Sequence, residues 1–208
     1  MKRMTLPRRT LLGAFCVLPV MALTTDLVRA QEADQPIQIL NAGLLAIMRA
    51  GKATPITRRF DQFAPVIDRV FDLDSILQGA TGPAWAGLLS ADREDLRAEF
   101  RRFTIASWVA NFDNFAGEVF RVKPDIRSLG AAGQVVDTEF SAPGADVVKL
   151  SYVLRARSDG WRVVDVLADG TISHVAVLRS DFRRVLAEGG APALSAQLRQ
   201  KSVGLLAG

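Results

Sequence analysis

The chain has 208 residues, with 26 Lys and Arg against 22 Asp and Glu, one histidine and one cysteine. Five of the basic residues (Lys2, Arg3, Arg8, Arg9, Arg29) and one acid, Asp26, fall in the first thirty, so residues 31–208 hold 21 of each sign and are formally neutral. That balance removes the clustered basic excess a nucleic-acid footprint requires. Cys16 lies in the same leader, which leaves the remainder without disulfides or a thiol nucleophile. With His174 as the only histidine, a zinc site would lack its usual nitrogen and sulfur ligands, and no metal or other cofactor is expected.

The first thirty residues read as a secretory signal. A basic start is followed by the apolar run Leu11–Leu23 and by Val28-Arg29-Ala30, with small residues where a signal peptidase cuts. The run is too short to span a bilayer, which takes roughly 20 residues. Cleavage is expected before Gln31, with residues 31–208 forming a single domain in the periplasm. Arg8-Arg9-Thr10-Leu11-Leu12 approximates a twin-arginine signal, but paired arginines also occur in ordinary secretory signals, so both routes stand. Phe15 before Cys16 is not the small residue a lipobox needs.

Beyond the leader the chain divides into a helical half and a strand half. From Asp34 to Arg49, Ile37, Leu40, Leu44 and Met48 recur at helical spacing, with Pro36 in the first turn. A second amphipathic pattern (Ile56, Phe60, Phe63, Ile67) contains Pro65, which predicts a kink or a division. Phe71-Asp72-Leu73 leads into a short helix ending near Gly79, and Gly82-Pro83 opens another turn. Ser90 is the expected N-cap of a long helix carrying Leu96, Phe100, Phe103, Ile105, Trp108, Val109, Phe112 and Phe115. So many apolar positions exceed one stripe, and such a helix is buried on several sides or lines a cavity.

From Glu118 the period becomes two. Strands are predicted around Val119–Val122, Val135–Phe140, Val148–Arg155 and Trp161–Leu167, the last two joined by a hairpin turn at Asp159-Gly160. Helical spacing returns over Ser180–Glu188 and Ala193–Gln200, separated by Gly189-Gly190. The expected class is α+β: a four-stranded, curved antiparallel meander packed against helices from both ends of the chain, with an apolar cavity between.

Asp165, Asp169, Ser173 and His174 are the polar residues with the most chemical potential. One reading makes Asp165 and His174 the acid–base pair of a cone-shaped α+β isomerase or hydratase, which requires both to converge in a cavity with shifted pKa values. The other makes Asp169-Gly170 a turn, Ser173 a helix cap and the remainder surface. The apolar excess favours a hydrophobic cleft, in which each buried methylene contributes about 0.8 kcal/mol, enough to hold an acyl chain without a charged anchor. A third possibility, an interaction module, predicts a filled core.

Several stretches carry a family resemblance in the same order along the chain. They are Gly82-Pro83-Ala84-Trp85, Ala91-Asp92-Arg93-Glu94, Phe100-Arg101-Arg102-Phe103, Lys149 to Arg155, Gly160 to Val166 and Asp169 to Ser173, with an apolar tail around Leu194 and Leu198. On these the chain resembles the MlaC family of periplasmic phospholipid shuttles. Members usually carry a tighter Gly-Val-Ser after the last strand. Here Gly170-Thr171-Ile172-Ser173-His174-Val175 stands instead, which looks more like the hopanoid-associated HpnM branch. The resemblance implies a non-enzymatic lipid carrier whose cargo is a phospholipid or a hopanoid-type pentacyclic lipid. It also implies two partners, an inner-membrane ABC transporter complex and an outer-membrane lipid donor or acceptor. The lining it implies is Phe103, Ser107, Phe112, Tyr152, Leu154, Val164, Val166 and Val175. By strand alternation Tyr152 and Leu154 share one face, as do Val164 and Val166.

Overall fold

Residues 33–207 are described by the computed structural model; the signal segment and its expected cleavage point before Gln31 lie outside the described residues. Helix α1 (Gln35–Ala50) places Pro36, Ile37, Leu40, Leu44, Ile47 and Met48 on one buried face. Helix α2 (Ile56–Val70) runs through Pro65 undivided and buries Phe63, Ala64, Ile67 and Val70. Helix α3 (Leu73–Thr81) is capped by Asp72, whose carboxylate accepts the Ser75 N–H at 2.9 Å. A single turn, α4 (Ala84–Gly87), leads to α5 (Ser90–Asn111). Ser90 is the first residue of α5 and makes no capping bond; Leu89 occupies the cap position.

The expected four strands become six. Strands β1 (Val119–Val122), β3 (Gln134–Ser141), β4 (Val148–Arg157) and β5 (Gly160–Ala168) match the predicted meander. The additions are β2 (Arg127–Ser128) and β6 (Ile172–Ser173), each too short for periodicity to reveal. The order is β1-β3-β4-β5-β6, all antiparallel neighbours, and β2 pairs further along β3 on the β1 side. Arg157 pairs with Gly160, so Ser158-Asp159 form the hairpin turn and Gly160 opens β5.

A bulge interrupts the β4–β5 ladder. Val153 pairs with Asp165 but Leu154 pairs with Val163, leaving Val164 as the extra residue. Cross-strand partners share a face, so Val163 joins Leu154 and Tyr152 inside. The shift breaks simple alternation between Val163 and Val166, with Val164 at the break.

Helix α6 (His174–Ala207) is broken at Gly190 (φ 65°, ψ −162°), two residues before Pro192. It packs along α5 and α3, while α2 lies between α1 and α5. The helices meet the sheet through Phe71, which bridges to Val163, and the Asp72 N–H donates to the Val163 carbonyl at 2.9 Å. Arg157 of β4 also reaches Asp72 and Ser75, at 2.7 and 2.8 Å. Burial alone would raise the Asp72 pKa, but the bonds from Ser75 and Arg157 outweigh it and hold the carboxyl below its ordinary value. The filled core joins Ile37, Leu40, Phe63, Ile67, Leu77, Leu96, Leu154 and Val163.

Gly133, entering β3, has φ 128°, and a Cβ there would lie 2.0 Å from the Leu154 carbonyl oxygen. Gly133→Ala is expected to destabilise the fold by at least about 2 kcal/mol in chemical denaturation, from backbone strain plus the clash. Gly144→Ala, with a positive φ but open space around the position, should cost only the backbone strain, about 1–2 kcal/mol, and less than Gly133→Ala. Equal losses for the two would refute this account.

Candidate functional site

One face of α5 looks at the sheet without touching it along its whole length. Phe100, Phe103, Thr104, Ser107, Trp108 and Asn111 follow the i, i+3, i+4 spacing of a single helical face and line a cleft of about 380 Å³. Leu150, Val166 and Ala168 form the sheet side. Leu150 pairs with Ala168, and Val166 is two residues from Ala168, so all three lie on the inner face. Phe71, Leu73 and Ile76 close one end, and Ile172, His174, Val175 and Val177 another. No Lys or Arg contributes to this lining. At its edge Ile172 and Val177 are about half exposed, at 57 % and 45 %.

A second cleft, of about 370 Å³, adjoins the first and shares Asn111, Phe112 and Leu150 with it. Leu44 and Met48 of α1 form one wall, with Phe120, Phe140, Val148 and Tyr152 of the sheet opposite. Asp113, Asn114 and Glu118, from the segment after α5, complete it. Both volumes fall within the range of small-molecule sites.

Between the clefts runs a chain of aromatic rings. Phe71 lies 5.8 Å from Trp108, which stacks on Phe112 at 5.5 Å and 17°. Phe112 in turn meets Phe120 at 6.3 Å and Phe140 at 5.8 Å, and those two lie 4.8 Å apart. Phe112 occupies the C-cap of α5 with non-helical dihedrals (φ −117°, ψ 62°). There its ring leaves the helix and becomes the partition.

Asp165 and His174 both border the first cleft, but Asp165 is committed to structure. Its Oδ1 accepts the N–H groups of Val166 (2.8 Å) and Val175 (3.0 Å), and its Oδ2 accepts the Ser173 hydroxyl (2.5 Å). Ser173 Oγ accepts the Ala176 N–H at 3.0 Å. These bonds cap α6, starting it at His174 rather than near Ser180. His174 makes no hydrogen bond to Asp165 among the described residues, and its pKa is lowered. Burial drives the shift, with Asp165 and Asp181 partly opposing it. The helix N-terminus it occupies also disfavours an imidazolium. A neutral imidazole beside a fully engaged carboxylate suits the wall of an apolar cleft better than an acid–base pair. Among the described residues no group of three or more His, Cys, Asp or Glu side chains could hold a metal.

Of the residues singled out from the sequence, Phe103, Ser107, Phe112, Val166 and Val175 border the first cleft, and Phe112 and Tyr152 the second. Leu154 lies in the filled core, and Val164 is the extra residue of the bulge; neither lines a cleft. Sequence reasoning missed Thr104 and Asn111, which share the helical face of Phe103 and Ser107, and the contributions of Leu73 and Ile76 from α3.

The described residues form a helix-backed antiparallel sheet with clefts at the interface. Residues 38–200 match the model of the MlaC protein family, and the chain belongs to that family. Membership indicates a binding and transport protein rather than an enzyme. Among solved structures, it is similar to a phospholipid-binding protein from Ralstonia solanacearum determined in complex with a phospholipid. The TM-score is 0.72 at 18 % identity, covering 84 % of this chain and 98 % of that one. At this identity the likeness shows the fold alone. No curated protein matches the chain.

The His174 environment gives a signed pH dependence. Its folded pKa lies below the ordinary imidazole value of 6.5, so as pH falls below 6.5 the unfolded chain takes up the proton first and stability declines until the folded value is passed. Denaturant midpoints measured from pH 7.5 to 5 should therefore fall more steeply for the unaltered protein than for His174→Asn. Parallel profiles would show that His174 is not held neutral by the fold.

Proposed function

We propose that the protein is a periplasmic lipid carrier, with residues 1–30 an export signal of the ordinary or twin-arginine type and residues 31–208 one lipid-binding domain. The observation that carries this reading is the first cleft: open, bordered mainly by apolar side chains and set between α5 and the sheet in a member of the MlaC family. Hydrocarbon entering it gains about 0.8 kcal/mol per methylene removed from water. Among the described residues no helix is long and apolar enough to cross a membrane, consistent with a shuttle that visits membrane-bound partners. Those partners are an inner-membrane ABC transporter complex and an outer-membrane lipid donor or acceptor.

The cargo is a phospholipid or a hopanoid-type lipid. The phospholipid reading is supported by the ligand of the structurally similar Ralstonia protein. The hopanoid reading, and with it the HpnM branch, is supported by the segment Thr171-Ile172-Ser173-His174-Val175, three of whose residues border the first cleft.

Native mass spectrometry of the protein purified from its own periplasm, followed by organic extraction, should release one of these lipids in stoichiometric amount. Ala168→Trp places a large ring on the inner face of β5 at the cleft wall. It should abolish co-purified lipid while preserving the unfolding midpoint to within about 1 kcal/mol of stability. Protein that emerges empty and takes up no lipid from vesicles would sink the carrier reading.

A further inference from the structure

The segment that joins α3 to α5 is apolar and uncovered. Residues 75–91 contain no charged side chain, the longest such run beyond the first thirty residues. Gly82 ends α3, and every residue from Pro83 to Leu89 is apolar and keeps some exposure. Pro83, Ala84, Ala86 and Gly87 are exposed, and Trp85 and Leu88 are half-buried. Leu89, at 71 %, is the most exposed large apolar side chain among the described residues. None of these residues lines either cleft.

Arginines frame this loop. Arg93 and Arg97, one turn apart on α5, hold their guanidinium groups 5.5 and 5.3 Å from the centroid of the Trp85 ring. Arg93 also donates to the Ala86 carbonyl at 3.0 Å, and Arg179 of α6 donates to the Gly79 carbonyl at 2.7 Å. Arg97 is paired with Asp74 at 2.8 Å. Arg93 and Arg179 meet backbone carbonyls and no carboxylate among the described residues. Asp92, Glu94 and Asp95 also begin α5. There they face the positive end of the helix, and Asp95 lies across the helix from Arg93 and Arg97.

A tryptophan in a short apolar loop, with arginines beside it, suits the boundary between a membrane and water. Ring and aliphatic groups enter the interfacial layer, and the guanidinium groups meet phosphates above it. Apart from the Trp85 indole N–H, residues 82–89 offer no polar side chain for directional recognition by a protein groove. Resting on the lipid-carrier reading, we propose that this loop docks the protein on a phospholipid bilayer surface. Trp85 and Leu89 enter the interfacial layer while Arg93 and Arg179 face head-group phosphates.

Flotation of the mature protein with phosphatidylcholine vesicles, with and without phosphatidylglycerol, reads the contact as protein retained by the bilayer rather than lipid captured by the protein. The protein should float with both, more strongly with phosphatidylglycerol, and that increment should fade as salt rises. Leu89→Asp should cut retention about tenfold. Leu89 is the N-cap of α5, a position that favours aspartate, so this variant keeps its fold. Arg93→Gln and Arg179→Gln should each reduce the phosphatidylglycerol increment about fivefold, the effect of one charge near an anionic surface. Val203→Asp, at an exposed site on the C-terminal half of α6, should change nothing. No flotation, retention unchanged in Leu89→Asp, or an equal loss in Val203→Asp would overturn the docking loop. Retention by native membranes but not by pure lipid vesicles, lost in Leu89→Asp, would assign the loop to a membrane protein and overturn the bilayer surface as its partner. Lipid that co-purifies with the protein keeps the carrier reading in each of these cases; that reading falls only on the separate result of an empty protein that takes up no lipid.

Discussion

The stack of rings from Phe71 through Trp108 and Phe112 to Phe120 and Phe140 sets the spacing between α5 and the sheet. Aromatic side chains are large and stiff, and their edges and faces pack at centroid separations of about 4.5–7 Å. A row of them between a helix and a sheet acts as a prop. Aliphatic residues in the same places would let the layers close and fill the interior. With the prop in place, the smaller side chains beside it, Ser107 and Thr104 on α5 and Ala168 on β5, cannot bridge the gap, and a cleft lies on each side of Phe112.

The prop requires fixed ends. At the C-terminal end of α5, the buried Arg59 donates to the Val109 carbonyl at 3.1 Å and to the Thr54 carbonyl at 3.3 Å. This places a cation where the helix dipole favours one. On the sheet side, Asp165 joins the bulge in β5 to the start of α6, and Arg179 of α6 donates to the Gly79 carbonyl at 2.7 Å. The remaining charge is mostly spent outside: Arg101–Asp68, Arg97–Asp74 and Arg199–Glu99 link neighbouring helices. Pairs this exposed contribute at most about 1 kcal/mol each. Their clearer consequence is that the arginines stay away from the clefts.

The sequence reveals the architecture where periodicity is sustained and loses it where structure depends on distant partners. The change of period near Glu118 divides helices from strands as observed, and the apolar excess on the long helix marks the element that lines both clefts. Strands of two residues, β2 and β6, leave no pattern to read. The bulge at Val164 is hidden because Val163, Val164, Val166 and Leu167 supply apolar residues on both faces. Helix α6 begins six residues earlier than its apolar spacing suggests; its cap combines Ser173, the role one sequence reading gave it, with Asp165 from β5. Ser90 fails as a cap although its residue type suits one. In the site itself, Thr104 and Asn111 could have been found by extending the face of Phe103 and Ser107 through one helical period. Leu73 and Ile76 could not, since only the tertiary packing of α3 brings them there.

Part of the stabilising core lies away from the clefts and part of it is shared with their walls. Phe63, Ile67, Leu77, Leu96, Leu154 and Val163 are buried without bordering either cleft. Leu44, Phe71, Ile76, Phe100 and Tyr152 are buried in the core and also border a cleft, and a bound ligand would add stability by mass action, as RT ln(1 + [L]/Kd). Leu154 and Val164, apolar residues on the strands nearest the site, are buried and border neither cleft. Beside these buried residues, the partly exposed Phe103, Trp108, Phe112, Val166 and Val175 border the first cleft with apolar surface the fold leaves incompletely covered.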